Sequence, residues 1–296
     1  MNFPRFKADD IVTGDFLASL CDVKVEPMVG WEQKLLSIQP GLHTVFVQPH
    51  KLGDVVPVLE AHRNRKFIVV SHNSDGNIVY EGQQAHHPAD PPGQNCDYQW
   101  KPIPNILQWY CQNVNVTEPT VEPVPIGFEN DYIGISKAKR ETADRALAGA
   151  QNPRVDKMFV CHNEGTNPGQ RVEAYRRYRW CPWADTIDGY NNSVLMNQFF
   201  TGLGRNKFVL SPEGNGLDTI RTWEALFMGC IPVVFRRPFT EWFAARLPII
   251  VIDSYDQLSL EFLQERAAEL ENRNFSWGLL TKEYWKQEIE KRKTSC

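Results

Sequence analysis

Residues 208–234 read F-V-L-S-P-E-G-N-G-L-D-T-I-R-T-W-E-A-L-F-M-G-C-I-P-V-V, and this stretch decides the fold class. Lys207 to Ser211 is a short apolar run stopped by turn residues, the pattern of a strand buried on both faces. Pro212 to Gly216 is a turn, and Asp218 is placed to cap a helix running from there to about Gly229. Cys230 to Phe235 then returns as a second buried-type strand. Strand, glycine-containing turn, helix and strand in that order make one unit of a parallel α/β sheet. Ligands of such sheets bind beyond the carboxyl ends of the strands, where a helix N-terminus offers N–H groups to anions. Ser211, Gly214, Asn215 and Gly216 stand at that place, and the two glycines allow close approach of the backbone to a ligand.

Within the helix, Ile220, Trp223, Leu226, Phe227 and Cys230 follow helical spacing and are expected to be buried. Arg221 and Glu224 stand three apart on the opposite side, expected to be polar and to face a cleft. A planar guanidinium fork suits a diphosphate, and a carboxylate one turn along can accept from both hydroxyls of a ribose. The pair therefore fits a nucleotide-diphosphate-sugar site. An ordinary surface ion pair has the same spacing.

The alternation extends in both directions. Strands are expected at His43–Val47, Lys66–Ser71, Lys157–Cys161 and Pro248–Ile252, and an extended segment at Val121–Gly127. Helices are expected at Asp54–His62, Asn105–Cys111, Lys137–Ala150, Gly169–Tyr178, Ser193–Leu203, Leu258–Asn272 and Thr281–Lys293. With 296 residues, this predicts two Rossmann-like α/β domains, residues 1–140 and 141–296, with a cleft between them and the terminal helix free to pack back on the first.

Composition narrows the function. A net charge of −4 argues against a general nucleic-acid binder, which needs a basic excess. No run reaches the length of a membrane helix or resembles a signal peptide, and the seven cysteines are scattered without a CxxC pair. A cytoplasmic protein with reduced thiols and no membrane insertion is expected. His86, His87, Asp90 and Cys96 lack regular ligand spacing, so no metal site is expected there.

The stretch from Ser211 to Val234 resembles the donor-binding motif of exostosin-like glycosyltransferases, inverting enzymes of the two-Rossmann-domain GT-B architecture. The resemblance continues through W-Y-C-Q-N-V-N-V and P-I-G-F-E-N between Trp109 and Asn130, and through Asn167-Pro-Gly-Gln-Arg171. It covers roughly residues 106–252 and points to short, membrane-free members from large DNA viruses of algae that transfer xylose to a β-linkage. The resemblance implies that Arg221 holds the diphosphate, Glu224 the ribose, and that Gly214, Asn215 and Gly216 shape the pocket. Asn167 and Arg171 would add phosphate or base contacts. Ile220 departs from the pattern, since members often carry His before the Arg. The implied donor is a UDP-sugar, UDP-xylose first, and the implied acceptor an oligosaccharide or glycoprotein, in the host cytoplasm for a viral enzyme. No DxD motif is present, so no metal or other cofactor is expected, and Arg221, Arg171 and the helix N-terminus are expected to balance the diphosphate charge.

Inverting transfer needs a base to take the acceptor's proton. Asp75, just beyond the strand ending at Ser71, is the first candidate, with His72 and His50 competing. Asp75 before Gly76 also suits a plain turn. Two other functions remain open: an NAD(P)-dependent oxidoreductase, against which stands the lack of a GxGxxG after the first strand, and a non-catalytic carbohydrate-binding protein.

Overall fold

Two five-stranded sheets, each parallel throughout, organise the computed structural model, which describes residues 3–25, 30–37, 39–83, 97–150, 153–187 and 193–295. The chain divides into two compact units. The first comprises Val12–Ile126, Asn215–Asp218 and Thr281–Cys296; the second comprises Met1–Ile11, Gly127–Gly214 and Thr219–Leu280. The main changeover thus lies between Ile126 and Gly127, whereas the sequence placed it at 140/141.

The first unit contains α1 (Gly14–Ser19), β1 (Val23–Lys24), α2 (Trp31–Ser37), β2 (Leu42–Val47), α3 (Leu52–Ala61), β3 (Lys66–Ser71), β4 (Ile78–Tyr80), β5 (Tyr98–Trp100), β6 (Ile106–Cys111) and β7 (Val121–Pro123). Its sheet runs β1-β2-β3-β6-β7, while β4 and β5 form a separate parallel pair. Register aligns Val23, Val45, Val69, Trp109 and Val121 in one row across the five strands. The helix expected over Asn105 to Cys111 is instead strand β6. A short apolar run reads the same in a buried helix or a central strand, and here pairing with β3 and β7 decides it.

The second unit contains α4 (Ser136–Ala148), β8 (Val155–Val160), α5 (Pro168–Tyr178), β9 (Ala184–Thr186), α6 (Ser193–Arg205), β10 (Asn206–Leu210), α7 (Ile220–Met228), β11 (Ile231–Phe235), α8 (Pro238–Ala244), β12 (Ile250–Ile252) and α9 (Leu260–Glu271). The chain closes with α10 (Lys282–Ser295), which belongs to the first unit and sets Trp285 edge-on to Tyr110.

Period-two alternation builds the second core. Met158, Val160, Phe208, Leu210, Ile231, Val233, Ile250 and Ile252 share one sheet face with Tyr175 and Tyr178 of α5 and Leu263 and Leu270 of α9. Burying each such side chain stabilises the unit by about 1.5–3 kcal/mol before entropy is counted. On the other face Phe159 meets Phe199 of α6. Gly202 makes that approach possible, since a Cβ there would lie 2.4 Å from the Phe159 ring. Helix α7 stops at Gly229, whose φ of 74° is the left-handed C-terminal cap.

Strand order matters most for function. In chain order the second sheet's strands are β8 to β12, but in space they run β9-β8-β10-β11-β12. The winding direction therefore reverses between β8 and β10, and the carboxyl ends of those two strands form a topological switch point. Among the described strands the first sheet runs without reversal. No helix among the described residues is long and apolar enough to cross a membrane.

Candidate functional site

Two loops leave the switch point, residues 161–167 after β8 and the turn after β10. Arg171 of α5 clamps them together. Its Nε donates to the Glu213 carbonyl (2.8 Å), Nη1 to the Asn163 carbonyl (3.0 Å) and the Thr166 hydroxyl, and Nη2 to the Pro212 carbonyl. Burial, then the charge of Arg221, pulls the Arg171 guanidinium down to about 9. It stays protonated at neutral pH. Asn167 caps α5 in the left-handed region (φ 59°), with Oδ1 accepting from the Gln170 N–H. The space at Gly214 is taken by Arg171, for a Cβ there would sit 2.8 Å from its Nη2.

Glu213 is fully engaged. Its carboxylate takes a two-point ion pair from Arg237 (2.6 and 2.9 Å) and a bond from Gln170 Nε2 (2.8 Å). Ser211 closes a hydroxyl trio with Thr219 and Thr222, both at 2.9 Å. Helix α7 begins at Ile220 with Thr219, not Asp218, at its N-cap position. Asp218 faces elsewhere: its Oδ2 accepts from the Ile126 N–H (2.7 Å).

Arg221 and Glu224 do not lie on an exposed polar face. Arg221 is 8% exposed and Glu224 3% exposed, because α7 is covered along nearly its whole length. Among the described residues they form no ion pair with each other. Glu224 instead meets Lys139 of α4 at 2.8 Å, and Lys139 also holds Glu129 at 2.6 Å. The Arg221 guanidinium lies over the Phe199 ring, 5.7 Å from its centroid, and its buried Nε has no hydrogen-bond partner among the described residues.

His162, fully buried just past β8, is the neighbour that the sequence reading missed. Its Nε2 donates to the Arg171 carbonyl (3.0 Å), and its ring packs on Tyr175 with centroids 4.3 Å apart. A carbonyl partner fixes the proton on Nε2, which leaves Nδ1 an acceptor, buried and without a partner among the described residues. Burial, then the charge of Arg221, pushes this imidazole down to about 3. Burial raises the adjacent Cys161 thiol to about 11, so it is not a thiolate nucleophile at neutral pH. Position alone could have found His162, by the rule that singled out Asp75: polar side chains just past a strand's carboxyl end.

The remaining predicted residues belong to the first unit. Asp75 is exposed in the bend after β3. His50, also exposed, has Nδ1 3.3 Å from the Ser74 hydroxyl. His72 is buried, with Nε2 donating to the Pro125 carbonyl (3.0 Å) and Nδ1 accepting from the Asn73 N–H (2.8 Å). Burial lowers its pKa, and a Cβ on Gly14 would come within 2.4 Å of its ring. Both ring nitrogens are thus occupied within the fold.

Asn215 and Gly216 also group with the first unit, although their turn follows β10. Asn113 anchors them: its Oδ1 accepts from the Asp218 N–H (2.8 Å) and its Nδ2 donates to the Ser74 carbonyl (3.0 Å). A Cβ on Gly216 would lie 2.6 Å from Asn113 Nδ2. Room for a protein side chain accounts for both glycines.

His86, His87, Asp90 and Cys96 lie outside the described residues. Among the described residues no cluster of three His, Cys, Asp or Glu could hold a metal. Compared with models of known families and with curated proteins, the chain matches none.

Proposed function

We propose that the second unit binds the diphosphate of a nucleotide sugar and that the chain is a metal-independent, inverting glycosyltransferase of GT-B architecture. The observation that carries this reading is Arg221, a buried guanidinium beside the switch point whose Nε has no partner among the described residues. A buried charge is costly unless a counter-charge or hydrogen bonds balance it. Of the motif's three carboxylates, Glu213 and Glu224 each face another cation, and Asp218 accepts from the Ile126 N–H. Arg171 next to it adds positive charge, and the α7 N-terminus adds N–H groups. An anion is what such a site lacks. The switch point in the second sheet supports the same place, and the exostosin-like motif names the class.

In the proposed reaction the acceptor hydroxyl, from an oligosaccharide or glycoprotein, attacks the anomeric carbon of the donor, UDP-xylose first. Its proton passes to Asp75, the exposed carboxylate after β3. The anomeric carbon–oxygen bond breaks, and the nucleoside diphosphate leaves with the electron pair, its charge balanced by Arg221 and the helix terminus. Calorimetric titration tests the reading. The wild-type protein should bind UDP and not NAD, and Arg221→Ala should weaken UDP by about 1.5–3 kcal/mol with the fold intact. Unchanged UDP affinity in that variant removes Arg221 from the site.

A further inference from the structure

The diphosphate accounts for Arg221 but not for His162. The diphosphate of a nucleotide sugar is esterified at both ends and fully ionised at neutral pH, so it only accepts hydrogen bonds, and the Nδ1 of His162 also only accepts. We infer that His162 is a ligand-reading residue whose Nδ1 accepts a hydrogen bond from a hydroxyl or N–H group carried by the donor beside its diphosphate. The inference rests on the donor-site reading above.

Three observations support it. The Nε2–H is committed to the Arg171 carbonyl, so the tautomer is set by the clamp that joins the two switch-point loops. Nδ1 is buried and has no partner among the described residues, a costly state that a donor group would relieve. Finally, Arg221 is close enough to disfavour the charged imidazole, so acceptor and guanidinium share one environment. Packing on Tyr175 holds the ring, and the Tyr175 hydroxyl accepts from the His162 backbone N–H (2.8 Å). A rigid, neutral acceptor next to a cationic anchor can distinguish a nucleotide from a bare diphosphate.

Two variants separate this from a structural role. His162→Gln can keep a donor toward the Arg171 carbonyl but has no acceptor where Nδ1 stood; His162→Phe keeps the ring on Tyr175. Each is titrated with inorganic pyrophosphate, UDP and UDP-xylose. The expected result is pyrophosphate affinity within about twofold of wild type and a nucleotide loss of roughly 5- to 150-fold, the range for an unmade buried hydrogen bond. A loss already present with UDP assigns the donor group to the nucleoside, and a loss seen only with UDP-xylose assigns it to the sugar. Equal losses for all three ligands, or none, overturn the inference while leaving Arg221 in place. A wild-type protein that binds neither pyrophosphate nor UDP overturns the donor-site reading and this one with it. If neither variant folds, the 15N resonance of Nδ1 in the unmutated protein decides: it should move with UDP or UDP-xylose and stay with pyrophosphate, and no movement with any ligand refutes the role.

Discussion

Replacing Lys139 by Met removes the cation between Glu129 and Glu224 and tests how the site keeps Arg221 open. At 2.8 Å the Lys139–Glu224 attraction is about 6 kcal/mol at an effective dielectric of about 20, before desolvation of both groups is subtracted. Glu224 is almost wholly buried, so losing its partner leaves an uncompensated charge, which costs about 3–5 kcal/mol. The Glu129 side chain keeps a fifth of its surface in water, and its share should be about 1 kcal/mol or less. Urea denaturation of Lys139→Met should therefore show a loss of about 3–5 kcal/mol. Adding Glu224→Gln removes the stranded charge, and the double variant should recover about 1–3 kcal/mol of it. A second readout concerns binding. Glu224 lies one turn from Arg221, and a carboxylate freed from Lys139 would compete with a diphosphate for that guanidinium, so UDP affinity should fall in Lys139→Met. Single-variant losses that add to within about 0.5 kcal/mol would refute the coupling.

Asp75→Asn should cut transfer by about 10²–10⁴ while UDP affinity stays near wild type, and a folded variant keeping more than about a tenth of turnover makes Asp75 a turn residue. Excess EDTA should leave transfer and UDP binding unchanged; abolition with rescue by Mg²⁺ or Mn²⁺ would contradict the metal-independent reaction. His162 predicts a pH dependence: its folded pKa is depressed to about 3 from the ordinary 6.5, so the unfolded chain binds the extra proton and the contribution to stability, full above about 6.5, is lost as pH falls toward 3. His162→Phe should flatten the stability-versus-pH curve of the unliganded protein between about pH 6 and pH 4, and an unchanged slope would show that the imidazole is already protonated or already partnered.

Much of the α/β framework was legible because parallel strands buried on both faces read as unbroken apolar runs, as in Lys66–Ser71 and Lys207–Ser211. The run at Ile106–Cys111 misled because its length and apolarity suit a helix turn as well, and only its neighbours in the sheet settle it. Strand order was not legible at all. It depends on which strands pair across the sheet, yet the reversal between β8 and β10 is what marks the switch point.

The site divides along the same line. A helix carrying Arg221 and Glu224 after a strand could be read from local pattern, since its signals lie within one turn and one helix. Its polarity could not, because exposure of a helix face is set by what packs on it. Lys139 lies 85 positions before Glu224 and inside a charged amphipathic stretch, so nothing local distinguishes it from its solvated neighbours; the ion pair exists only once α4 lies against α7. The two glycines make the same point from the other side. Both glycines were read as letting a ligand approach the backbone, and in the fold Arg171 and Asn113 lie where a Cβ at Gly214 and Gly216 would stand. Once the protein's own pairs are made, Arg221 Nε and His162 Nδ1 are left at the switch point, one donor and one acceptor without partners among the described residues. That residue of unmet bonding is a property of the folded unit, and under the proposed reading it asks for an anion carrying a hydroxyl or N–H beside its charge, as a nucleotide sugar does.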